Sequence, residues 1–118
     1  TTLFRSQGAH EMLRFSDFRD GVGGVLVRRC LKVDVRNCRD WCEFADALHT
    51  DDEALVKAAR RFDGIASTGE RVVLHAALSA GGFGWLADEL GADGSWERLA
   101  YLTGDHRMAV VACIARVD

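Results

Sequence analysis

The sequence predicts an α+β fold in a single domain, residues 1–118, with an N-terminal β-hairpin or small antiparallel sheet over 1–36 and about five helical segments over 37–118. Three observations lead there. Asp20-Gly21 followed by Gly23-Gly24 is a turn signal, and the run from Val25 to Val35 behind it is rich in β-branched residues. Within that run Leu31, Val33 and Val35 alternate with Lys32, Asp34 and Arg36, the period of a half-buried antiparallel strand. From Asn37 the period lengthens, and Cys38, Trp41, Cys42, Ala45, Leu48 and His49 fall on one helical stripe.

Before the turn, Leu13 and Phe15 alternate with Arg14 and Ser16 until Phe18 breaks the phase, which makes 12–19 the first arm of the hairpin and a short helix over 10–19 its competitor. A two-stranded hairpin is marginal in water, so the sheet is expected to gain a strand from Leu3 to Ser6, to lie on the helices, or to continue across a dimer axis. The helix from 37 to 49 should be amphipathic with its cysteines inward. Thr50-Asp51-Asp52-Glu53 matches a capping box for a second helix with Leu55, Ala58, Ala59 and Phe62 on its apolar face and Gly64 at its end. Ser67-Thr68-Gly69-Glu70 is another capping box, opening a helix over 71–80 that is apolar on nearly every side except at His75 and therefore central. Gly81-Gly82 stops it. A short helix over 83–90, a break at Gly91 and Asp93-Gly94, and an amphipathic segment over 95–102 follow; a last helix starts with Asp105 as its N-cap and carries the apolar run Met108 to Ala115.

Composition bounds the function classes. Apolar residues make up 48% and charged residues 28%, close to globular averages, which excludes a disordered or fibrous chain. No apolar run approaches the roughly 18 residues of a membrane span, and the first residues lack the apolar core of a secretory signal, so no membrane association and a cytoplasmic location are expected. Four cysteines in regular structure are too few for a secreted disulfide framework and read as reduced thiols. The net charge of −3 divides unevenly, with eight basic and six acidic residues over Thr1–Phe44 against seven and twelve over Ala45–Asp118. That balance argues against strong nonspecific nucleic-acid binding.

No motif completes a catalytic or cofactor signature. Cys30, Cys38, Cys42 and His49 are candidate zinc ligands within twenty residues of sequence, but Cys42 and His49 are roughly 10 Å apart along a helix axis, too far to share one tetrahedral ion. Core packing of the thiols is the preferred reading, and no cofactor is expected. Gly64 to Arg71 has two glycines at phosphate-loop separation, yet Glu70 stands where the lysine should be, so the stretch reads as a helix cap. Ser79 in Ala77-Leu78-Ser79-Ala80-Gly81 lacks the preceding strand of a nucleophile elbow. His10 and His49 have no nearby nucleophile in sequence, His75 on the apolar central helix reads as a satisfied or interface histidine, and His106 sits at a helix start between Asp105 and Arg107.

The functional candidates are binding residues. Arg28, Arg29, Lys32, Arg36 and Arg39 form the densest positive charge, suited to an acidic protein surface or to phosphates, and Phe83 and Trp85 sit among glycines where aromatics can anchor a partner. The expected function is a small non-enzymatic protein-binding module, a homodimer acting as regulator, adaptor or inhibitor of a larger protein, of the kind carried by bacterial mobile elements or phage. A nucleic-acid-binding protein using the basic strand is the alternative, and a small zinc domain the next.

Overall fold

A helical period also runs through the region expected to form the hairpin, since Phe15, Phe18, Val22, Leu26 and Cys30 recur every three or four residues. The structure, a computed structural model, describes residues 14–91 and 98–118, and it puts these five on helix. Helix α1 spans Phe15–Asp20 and α2 spans Val22–Leu26, and α2 runs directly into a π-helical turn, Val27–Leu31. The hairpin and the α+β class are thereby corrected to an all-helical fold: the described residues contain no strand, only an isolated parallel bridge between Arg14 and Val117. The expected strand at Leu3–Ser6, His10, Trp96 and the start of the segment over 95–102 lie outside the described residues.

The glycines that suggested a turn instead permit close packing. A Cβ at Gly23 would stand 2.3 Å from the Phe18 ring, and one at Gly24 would stand 1.8 Å from the Arg19 carbonyl oxygen. Only hydrogen at these positions lets α2 fold back onto α1 after the extended residue Gly21. The strand-like alternation does survive as burial. Leu31 and Val35 are buried while Lys32, Asp34 and Arg36 are exposed, but the segment docks on helices and pairs with no strand.

Helix α3 spans Trp41–Leu48, with the Asp40 carboxylate accepting from the Glu43 N–H at 2.8 Å. Trp41, Phe44 and Leu48 form its inward stripe. Cys42 falls one position past that stripe and is exposed, and Cys38 is buried ahead of the helix, so the expectation of two inward cysteines on one helix is corrected. Helix α4, Asp52–Asp63, is capped by Asp51 and not by Thr50, whose hydroxyl instead donates to the Asp46 carbonyl at the end of α3. Gly64 follows its last turn as expected.

Helix α5, Thr68–Ala80, begins with the reciprocal capping box of Ser67 and Glu70 and buries seven of its residues, His75 among them. It is the central helix that its composition predicts, packed against α6, Gly84–Leu90, and α7, Gly104–Ala115. Thr103, not Asp105, precedes the first turn of α7. A second centre of packing is aromatic. The Phe15, Phe18, Trp41 and Phe44 rings meet with centroids 4.9 to 6.4 Å apart, several edge to face, as their quadrupoles favour. The chain's last residues tie this cluster down: the Val117 carbonyl accepts from the Phe15 N–H at 2.8 Å and from the Trp41 indole at 3.3 Å, and Asp118 accepts from the Trp41 N–H at 3.0 Å. Among the described residues no helix is long and apolar enough to cross a membrane.

Far-ultraviolet circular dichroism should be dominated by the paired minima of helix. Gly24→Ala should destabilise the fold by about 2 kcal/mol in urea unfolding, because its methyl meets backbone and not a side chain that can move.

Candidate functional site: a basic groove beside the π-helical turn

The five basic residues singled out in the sequence do not share one strand face, since the backbone that carries them is helical. Within the π-helical turn Arg28 and Arg29 lie on different sides, each lining a separate cleft. Arg28 joins Arg36 in a shallow cleft with Arg19, Asp20 and Asp34, where most of the charge is already paired: Arg36 Nη2 lies 2.7 Å from Asp34 Oδ2, and Arg19 binds Asp20. The Arg36 guanidinium holds the Asp34 carboxyl down at about 2. Arg39 is spent on Glu43 one helical turn away, at 2.9 Å.

Arg29 and Lys32 turn the other way and meet α4. There the residues Ala54, Lys57, Ala58, Arg61, Phe62 and Ile65 follow the spacing i, i+3, i+4, i+7, i+8 and i+11, one continuous face of the helix and its end. Together with Cys30 they line a groove of about 560 Å³. Four of its nine lining residues are cationic, none is acidic, and the rest are apolar apart from the Cys30 thiol. Phe62 is half-buried beneath the Arg29 guanidinium, whose carbon sits 5.8 Å from the ring centroid, while Ile65 is 76% exposed at the rim. The inward face of α4 is carried by Leu55 and Ala59, with Phe62 partly buried against the core as expected while also lining the groove, and Ala58 at the groove's edge.

The electrostatics of the groove are only partly compensated from outside it. Glu70 binds Arg29 through Oε2, while its Oε1 accepts from the Ser67 N–H at 3.1 Å. That backbone N–H, and then Arg29, hold the Glu70 carboxyl below the usual carboxylate range. Lys57 and Glu53 are 3.5 Å apart and both highly exposed, a contact worth little. Among the described residues Lys32 and Arg61 have no ion-pair partner. Lys32 also ends the π-helical turn with φ +60°, in the left-handed region, a position where glycine is the default and a lysine costs about 1 kcal/mol.

The other candidates fare differently. Phe83 is buried and stacks on the His49 ring at 4.2 Å and 11°, so it is core and not a surface anchor. Trp85 is 55% exposed on α6, apart from the groove. His49 Nδ1 lies 2.9 Å from Asp52, Cys30 and Cys38 are buried and Cys42 is exposed, and the described residues contain no group of three or more potential ligands placed to hold a metal. Burial pushes the Cys30 and Cys38 thiols up, away from the thiolate. A second cavity, about 290 Å³, lies between α5, α6 and α7. His75 on its wall has Nε2 2.6 Å from Asp63, and burial raises the Cys113 thiol strongly, away from the thiolate. Comparison with protein-family models, curated proteins and solved structures finds no match.

The groove was half legible in the sequence. Arg29 and Lys32 stand in the basic run and Phe62 on the apolar face of α4, but Lys57, Arg61 and Ile65 are recognisable only as a second stripe on α4, offset from the core stripe of Leu55 and Ala59.

Glu70→Gln removes the charge-assisted bond to Arg29 and weakens the cap, and should cost about 1 kcal/mol in urea unfolding at neutral pH. Because the folded carboxyl is depressed below its ordinary 4.5, its stabilisation is present above that pH and is lost as pH falls through the lower folded value. The stability difference between wild type and Glu70→Gln should therefore shrink on acidification below pH 4.5.

Proposed function

We propose that the protein is a non-enzymatic protein-binding module that acts as regulator, adaptor or inhibitor of a larger protein, and that it docks through the groove between the π-helical turn and α4. One observation carries this reading: uncompensated positive charge at Lys32 and Arg61 borders an exposed apolar side chain, Ile65. Exposed charge alone is an ordinary solvated surface, and an exposed apolar residue alone is common. Their convergence in one concave site is the arrangement in which an apolar anchor supplies affinity and surrounding charge supplies orientation.

Self-association as a homodimer belongs to the same reading. Trp85, Tyr101 and Ile114 are 55%, 83% and 56% exposed, and a two-fold contact would cover apolar surface of this kind. All four cysteines are unpaired, in keeping with a reducing cytoplasmic setting.

A photo-crosslinker placed at Ile65 should trap the partner captured by the full chain, and one placed at Arg107 on α7 should not. Capture without a crosslink from Ile65 removes the groove as the docking surface. Light scattering should give twice 13.0 kDa, and a concentration-independent monomer mass removes the dimer.

A further inference from the structure

Resting on the protein-binding reading above, we infer the chemistry of the occupant: the groove takes an acidic peptide segment with one bulky apolar side chain, its carboxylates lying on Lys32, Arg61 and the open edge of Arg29 and its apolar group between Phe62 and Ile65. Charge complementarity sets the sign. The lining residues are four cations and no acid, in a chain whose net charge is −3, so the groove is a local reversal of the molecule's field. Arg29 is held by Glu70 through one terminal nitrogen and also bonds the Cys30 thiol, yet its side chain is half-exposed and its five-donor fork is not exhausted by these two partners.

The carboxylates around the groove set the size. Glu53 lies beside Lys57 and precedes Ala54, Asp51 and Asp52 stand just before it at the start of α4, and Glu70 flanks Arg29. A phosphate backbone running through the groove would continue past these acids at both ends and be repelled, whereas a short peptide with two or three carboxylates is matched to the cations between them. The apolar part points the same way. Single-stranded nucleic acid is held by open aromatic faces, but the Phe62 ring is covered by Arg29 and the exposed apolar residue is the aliphatic Ile65. An aliphatic peptide side chain finds there Ile65, the methylene stems of Lys57 and Arg61, and the part of Phe62 that Arg29 leaves uncovered.

Lys32 gives the assignment a specific signature. It occupies a left-handed position that glycine would fill without strain, so Lys32→Gly removes a binding charge while relieving the backbone.

The test is fluorescence anisotropy on the full chain with a labelled short peptide of Asp and Glu around one Leu. The controls are the same peptide with Asn and Gln, the same acidic peptide with Leu→Ser, and oligothymidine. The acidic Leu peptide should bind, and both peptide controls should bind about tenfold more weakly. Raising the salt from low to moderate should weaken the acidic peptide and not the Asn and Gln form. Lys32→Gly combined with Arg61→Gln should lower its affinity about tenfold while leaving the melting temperature no lower than wild type, and Arg107→Gln, outside the groove, should change neither. Equal binding of the Asn and Gln peptide, unchanged binding by the double variant, or tighter retention of oligothymidine than of the peptide overturns the inference. A captured protein that crosslinks from Ile65 but is not displaced by the acidic peptide leaves the docking surface standing and removes only this chemistry.

Discussion

The contact on which the rest of the architecture depends is the one made where two side chains are missing. With hydrogen at Gly23 and Gly24, the Phe18 ring and the Arg19 carbonyl lie against the α2 backbone, and α1 and α2 form a tight corner instead of one long helix. That corner aims α2 toward α5 and α7, and it sets the direction in which the π-helical turn continues. Arg29 reaches Phe62 on α4 because of this direction. The groove is thus a downstream result of packing earlier in the chain, with Arg29 itself tied to the central helix through Glu70, a residue whose first task is to cap α5.

How far the fold could be read from the sequence varied with how local the decisive interaction is. The cap of α5 is closed by atoms three residues apart, so the Ser67–Glu70 pattern sufficed. The near-identical pattern at Thr50 misled by a single residue, because Asp51 is an equally good acceptor and Thr50 was taken by the preceding turn. The N-terminal region failed for a different reason. Two periods coexist between Phe15 and Val35, and the glycines that appeared to decide for a turn are required by the Phe18 ring and the Arg19 carbonyl, a tertiary cause that no local pattern records. Cys42 shows the same in miniature: the segment is helical, but helix begins only at Trp41, and the inward arc of Trp41, Phe44 and Leu48 is fixed by the Phe15, Phe18, Trp41 and Phe44 rings. Of the candidate surface residues, Arg29 and Lys32 entered the groove, while Arg36 and Arg39 were neutralised by acids two and four residues away.

The distribution of charge has a physical logic that the net value conceals. Several surface cations are held by a nearby carboxylate, as in Arg19–Asp20, Arg36–Asp34, Arg39–Glu43 and Arg60–Glu89. Such pairs are screened and contribute little to stability, but they quiet the surface toward polyanions. Against that background two unpaired cations on either side of an apolar groove stand out more strongly than the same two would on a basic protein.

The attachment of the chain's last residues to the first aromatic cluster carries a kinetic consequence. Trp41 bonds to Val117 and Asp118 across 76 and 77 residues of sequence, and Phe15 bonds to Val117 across more. Closing a loop of that length costs about 2 kcal/mol more in chain entropy than closing one of ten residues. The helices and the α5–α7 packing can form from nearer neighbours, whereas the Phe15–Phe18–Trp41–Phe44 cluster acquires its lid only when both regions of the chain are already in place. Loop closure therefore favours early packing among α5, α6 and α7, and it makes the aromatic cluster around Phe15 and Trp41 the contact with the longest loop to close.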